Sequence, residues 1–178
     1  MPVLKALALA LLVTAPPLAL PAPAEYQVKA VFLFNFSQFV EWPQEAFPAA
    51  DAPFVIAVVG EDPFGAQLDA AVRGENVLGH PLVVKRYRTV GEVESCQILY
   101  ISDSELARID KILNSVERRS VLTVSDIDRA AERGAVIQFT NERNRLRLRI
   151  NVAAAKAAGL TISSKLLRPA EIVGERQG

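Results

Sequence analysis

An α/β fold, a single three-layer domain around a mixed and mainly parallel sheet, is predicted by three observations. The first is the apolar run Phe54–Val59 (FVIAVV), which breaks at Gly60. A strand with continuous Val and Ile is buried on both faces, as in a parallel sheet covered by helices. The second is the rhythm downstream of it. Apolar, β-branched runs at 82–87, 96–102 and 120–124 alternate with helical patterns at 63–73, 104–118 and 126–133, the spacing of βαβ units. The third is the break in that rhythm: residues 135–140 and Arg145–Asn151 are strands joined only by NERN. Asn tolerates turn conformations, so a C-terminal antiparallel hairpin is expected.

The chain opens MPVLKALALALLVTAPPLALPAPA. Lys5, the apolar residues 6–13 and the small-x-small triplet Ala22-Pro23-Ala24 have the layout of a secretory signal peptide. The apolar run falls short of the roughly 20 residues that span a bilayer, and Pro16, Pro17, Pro21 and Pro23 interrupt the stretch after it. The expected organisation is a signal peptide at 1–24, an α/β domain at 25–170 and a polar C-terminal tail at 171–178, frayed in solution. No later run is long enough to span a membrane, so no insertion is expected after cleavage. The 20 basic and 20 acidic residues cancel, which removes the positive field that nucleic acid requires. With Cys96 as the only cysteine and His80 as the only histidine, neither an intrachain disulfide nor a structural zinc site is expected.

In order, residues 25–42 (EYQVKAVFLFNFSQFVEW) read as a helix, stopped because Pro43 disfavours helical backbone before it. Val28, Phe32, Asn35, Phe36 and Phe39 share one side, and Val31, Leu33, Phe34, Val40 and Trp42 make the remainder apolar. A helix apolar nearly all round must be covered on more than one side. It is either a core helix or an aromatic surface for a partner or second protomer, with Phe32, Phe36, Phe39 and Trp42 as contacts. The central strand then leads into a helix from Asp62-Pro63, with Asp as N-cap and Pro preorganised for the first turn. After the hairpin, residues 152–158 continue as an Ala-rich helix ended by Gly159.

Few residues invite catalysis. GEDPFG has neither the glycine pattern of a dinucleotide fingerprint nor the Lys of a phosphate loop, and Glu61 and Asp62 would repel an anion. No cofactor is expected. His80 sits between Gly79 and Pro81 without an orienting partner in sequence, and no Gly-x-Ser-x-Gly elbow is present. Cys96 opens an apolar strand, where a packed small hydrophobe is the simpler role than a reactive thiolate. The most informative polar pattern is RLRLRIN. Alternation puts Arg145, Arg147 and Arg149 on one strand face about 7 Å apart. They are either a solvated face paired to acids such as Glu132 or Glu142, or a site for an acidic partner, carboxylate or phosphate. Asn151 ends that strand; it is counted with the three arginines as a partner- or ligand-binding residue, and it could fix the junction with the next helix.

Taken together, KAVFLFNFSQFVEWP, IAVVGEDPFG, GHPLVVKR, CQILYIS, VLTVSD and especially NRLRLRINVAAAKAAGLTISSKLLRPA resemble the YfiR family of periplasmic regulators. The resemblance covers nearly all of the chain after the leader. It implies a periplasmic α/β protein, often a dimer, that is not an enzyme. Such a protein restrains an inner-membrane diguanylate cyclase by binding its periplasmic sensor region, and so lowers cyclic di-GMP and biofilm formation. Some members carry disulfides, one at the position of Cys96; here the position that would partner it is Ala57. The alternative from the residues alone is a periplasmic module whose arginine stripe holds an anionic ligand in a pocket at the carboxyl ends of the parallel strands.

Overall fold

The computed structural model describes residues 22–174. Its strands are β1 (Val40–Glu41), β2 (Phe54–Val59), β3 (Asn76–Val77), β4 (His80–Tyr87), β5 (Ile98–Ile101), β6 (Leu122–Ser125), β7 (Ile137–Glu142), β8 (Arg145–Asn151), β9 (Thr161–Ile162) and β10 (Glu171–Val173). Its α-helices are α1 (Ala22–Phe39), α2 (Ala66–Val72), α3 (Ile109–Val116), α4 (Val152–Ala157) and α5 (Ser164–Leu167).

Eight strands form one sheet in the order β10-β8-β7-β6-β5-β2-β4-β3. β2, buried at every residue, pairs in parallel with β4 on one side and β5 on the other. The parallel run continues through β6 to β7, and β8 returns antiparallel against β7. The pleat divides β2 between two cores. Phe54, Ile56 and Val58 face α1 and α2 together with Tyr100, Val124 and Phe139. Val55, Ala57 and Val59 face the buried stripe of α3, formed by Ile109, Ile112, Leu113 and Val116. The fold is therefore the mixed, mainly parallel α/β sheet that the sequence predicts, with helices on both faces and a C-terminal antiparallel hairpin.

The differences are local and have physical causes. The first helix ends at Phe39. Val40 and Glu41, expected to be helical, instead pair antiparallel with Ile162 and Thr161, a role that suits β-branched Val40. The second helix begins at Ala66, not at Pro63. The Asp62 side chain accepts from the Phe64 N–H at 2.8 Å, an Asx turn that satisfies backbone outside the helix. Residues 126–133, expected to be helical, form consecutive turns, with Arg129 at φ 58° interrupting any helix. Part of the segment expected to fray is ordered: Glu171–Val173 form β10, parallel to β8. Gly174 follows it at φ +79°, and a Cβ there would lie 2.6 Å from the Asn151 Oδ1. The proposed signal peptide, apart from the first residues of α1, lies outside the described residues.

Candidate functional site

Open α/β sheets bind ligands beyond the carboxyl ends of their strands, where successive connections leave in opposite directions. Here that point lies between β2 and β5, because the chain passes from β2 to β4 on one side and then crosses to β5 on the other. The crevice is closed by the protein itself. Ser104 Oγ accepts from the Glu61 N–H at 2.9 Å. A Cβ on Gly60 would stand 2.5 Å from that same oxygen. Glu105 is buried beside it and takes a two-pronged contact from Arg108 at 2.7 and 2.8 Å. The Arg108 guanidinium holds the Glu105 carboxyl below its ordinary range. Asp62 and Asp69 meet Arg86, each at 2.6 Å, on the β4 side. GEDPFG is thus a self-satisfied strand–helix turn.

An open space lies farther along the same rim, above β6 and β7. It is a cavity of about 500 Å³ between the first turns of α1, the loops after β5 and β6, and the ends of β7 and β8. Lys29, 3% exposed, is its anchor. Its ammonium meets Asp126 Oδ2 at 2.8 Å and Glu25 at 2.7 Å and lies 4.4 Å above the Tyr26 ring. The Tyr26 hydroxyl donates to the same Asp126 oxygen at 2.9 Å. Burial, reinforced by Asp126, raises the Tyr26 pKa far above that of a free phenol, so it remains a donor. This cluster ties α1 to the carboxyl end of β6. The sequence carried one signal for it: Lys29 is the lone cation between Glu25 and Trp42, four residues after Glu25. Periodicity sorted α1 by apolar faces and passed over it.

Two of the four aromatic residues proposed as a contact surface lie inside. Phe36 is 0% and Trp42 8% exposed. Phe36 stacks on Phe139 at 5.9 Å, and the Trp42 indole N–H donates to the Gln97 carbonyl at 3.1 Å. The partner-surface role is therefore overturned for Phe36 and Trp42, because the sheet occupies the side on which they project. Phe32 and Phe39 are half-buried against the same core. The side of α1 left to solvent presents Val28 and Val31 instead.

The arginine stripe divides. Arg149 is paired to Glu171 at 2.9 Å and Glu132 at 3.3 Å, the solvated and neutralised alternative. Arg145 and Arg147 are exposed and make no ion pair among the described residues. Their backbone register sets Arg145 opposite Glu142 and Arg147 opposite Thr140. Asn151 is buried and structural: its Oδ1 accepts from the Ala154 N–H as the cap of α4, and its Nδ2 donates to the Ala131 carbonyl, both at 2.8 Å. His80 is half-buried at the start of β4 and stacks on Phe47 at 4.1 Å. Cys96 is buried, and desolvation pushes its thiol up to about 12, away from thiolate chemistry.

Comparison with known proteins agrees with this picture at two levels. By fold, the chain is similar to a conserved domain protein from Vibrio cholerae O1 biovar El Tor. The TM-score is 0.55 at 14% identity, covering 83% of this chain and 59% of that one. It is also similar to an ABC domain from Streptococcus pneumonia solved in complex with L-Trp. There the TM-score is 0.51 at 9% identity, covering 67% of this chain and 55% of that one. The chain thus spans under two thirds of both, and at these identities the likeness is one of fold alone. No curated protein matches the sequence. By sequence, the profile of the YfiR/HmsC-like family matches residues 26–171, from the tyrosine that holds Asp126 to the first residue of β10. The chain belongs to the YfiR/HmsC-like family, a group of periplasmic proteins that regulate cyclic di-GMP signalling rather than catalyse reactions.

Proposed function

We propose that this protein is exported by an N-terminal leader cleaved near Ala24. In the periplasm it inhibits an inner-membrane diguanylate cyclase by binding its periplasmic region, which lowers cyclic di-GMP and biofilm formation. The observation that carries this reading is the family match over residues 26–171. The rim supports contact over chemistry: the crevice that usually receives a substrate is filled by Ser104 and Glu105, while Arg145 and Arg147 stand free at the surface. Arg forks suit the carboxylates of a partner protein. Expression of the full chain beside its cognate cyclase tests the proposal. Cyclic di-GMP falls several-fold, and N-terminal sequencing of the periplasmic form starts at or next to Glu25. An unchanged nucleotide level removes the inhibitory role, and a chain retained in the cytosol removes the export step.

The 500 Å³ cavity above β6 and β7 favours a second reading, in which a small polar ligand modulates the contact. A ligand held by the folded state raises the melting temperature in proportion to the logarithm of its concentration over Kd. A thermal-shift screen in which no compound raises it would remove this reading.

A further inference from the structure

The last turns of the ladder leave an edge open beside the free arginines. The β7–β8 hairpin closes through Arg143 and Asn144, both at positive φ (51° and 61°), a two-residue turn of the kind that matches strand twist. In an antiparallel pair, residues alternate between those that exchange backbone hydrogen bonds with the partner and those that turn them outward. Counting from the turn, Arg145, Arg147 and Arg149 bond to β7, and Asn151 continues the series by donating to the Val136 carbonyl at 2.8 Å. Leu146, Leu148 and Ile150 therefore point their N–H and C=O groups to the far side. Ile150 finds β10, whose pairing over residues 149–151 also engages the Leu148 carbonyl through the Glu171 N–H. Among the described residues no strand pairs with 145–147 on that side, and Leu148 keeps its N–H open there. On the inner side, β6 pairs with β7 only through Ile137 and Gln138, so the hairpin extends past the sheet as a two-stranded ribbon.

We infer that this open β8 edge is a strand-addition site for an extended acidic segment of a partner protein. Backbone hydrogen bonds to both outward groups of Leu146 and to the Leu148 N–H supply register, and alternate side chains supply specificity. Arg145 and Arg147 share one face at a spacing of about 7 Å, the repeat of alternate residues in any strand. A segment with carboxylates at every second position places one opposite each arginine, and opposite charges across a pair stabilise it. Charge also argues against the other obvious occupant. A second copy of this chain, paired edge to edge, would bring Arg145 and Arg147 against the same arginines, a device that keeps edges from self-pairing. Glu171, at the start of β10, is an acid already placed along this edge, and it engages Arg149. The incoming segment repeats that arrangement one step farther out.

The inference rests on the contact reading for the partner's identity but is tested without the cyclase. The probe is a fluorescent dodecapeptide alternating Glu with Val and Thr, with Lys in place of Glu as control, titrated into the mature chain and followed by anisotropy. The acidic peptide binds and the basic one does not. Arg147→Glu weakens binding at least tenfold, and so does Leu146→Pro, which removes an outward N–H that β7 does not use. Should the proline variant fold poorly, hydrogen exchange on the parent protein decides: the peptide slows the Leu146 and Leu148 amides at least tenfold. Unchanged exchange at those amides overturns strand addition. So does binding that Arg147→Glu abolishes but Leu146→Pro retains, together with equal capture by phosphatidylglycerol vesicles, which would mark a charge patch for anionic lipid. Self-association that the peptide does not disrupt would assign the edge to a second copy.

Discussion

β2 and β8 are six- and seven-residue strands of one sheet written in opposite codes. FVIAVV in β2 is buried at every position, whereas RLRLRIN in β8 runs from exposed to buried along its length. The first strand can be moved nowhere without opening both cores. The second is anchored at Ile150 and Asn151 and free at Arg145. The difference separates what holds this protein together from what it can offer to another molecule. A substitution near β2 should register as lost stability, and one at the free end of β8 as lost binding.

The largest effect expected on the buried side is at Phe36, which fills the space between α1 and β7 against Phe139. Phe36→Ala should cost about 4 kcal/mol, the transfer loss plus the cavity left behind. Chemical denaturation checks it as a fall in midpoint at constant slope. A cost below about 1 kcal/mol would mean that α1 repacks freely, and the distinction between the two regions would weaken.

Next comes the charge cluster that joins α1 to β6. Lys29→Met leaves Asp126, whose side chain is 12% exposed, without its cation and should cost about 3 kcal/mol. Asn at 126 in the same background removes the stranded charge and should restore much of the loss. A double mutant as unstable as the single would show that packing of the lysine stem, not its charge, matters here.

Asn151 is the hinge between the two regimes, buried yet at the end of the exposed strand. Asn151→Ala strands the Ala131 carbonyl and the Ala154 N–H and should cost about 2 kcal/mol. Thermal unfolding measures it. Smaller still is the pH response of Glu105. Its pKa is lowered in the folded state from the ordinary 4.5, chiefly by its bond to Arg108. Its contribution is therefore complete above that ordinary value and is lost as pH falls through the lower, folded value. Glu105→Gln should flatten the acid limb of the stability curve below about pH 4.5. An unaltered limb would place the Ser104–Glu105 plug outside the stabilising charges.

These sites were unequally legible in the sequence. β2 announced itself because continuous burial leaves a continuous apolar run, and RLRLRIN because one-sided burial leaves alternation. The junction role of Asn151 followed from its place between a strand and an Ala-rich stretch. The aromatic residues of the first stretch left two roles open, because a helix apolar all round does not say which side meets the sheet; Phe36 and Trp42 proved to be core. Lys29 stood out as a lone cation, but its pairing with Asp126 was hidden for another reason. Its partners lie 97 residues apart, and only the parallel order of β5, β6 and β7 brings the loop after β6 over the start of α1. The same limit applies to the plug, since Gly60 and Ser104 meet only because β2 and β5 are neighbours. β10 was missed because two or three residues of edge strand carry no periodicity.

The smallest stability effect is the most discriminating. Arg147 has no carboxylate within ion-pair distance among the described residues, and its side chain faces solvent beside Thr140. Arg147→Glu should therefore change folding stability by no more than about 0.5 kcal/mol while it weakens the contact with an acidic partner. Arg149→Glu differs although it lies only one repeat away. It sets a carboxylate against Glu132 and Glu171 and loses two pairs, so it should loosen β10 and lower the melting temperature. Measured side by side, the two variants ask whether the stripe is one surface or two. Equal melting temperatures with equal loss of cyclase inhibition would make it one continuous binding face. A melting-temperature loss at Arg149 alone, with loss of inhibition at Arg147, would set the boundary between scaffold and contact at the point where β10 stops covering β8.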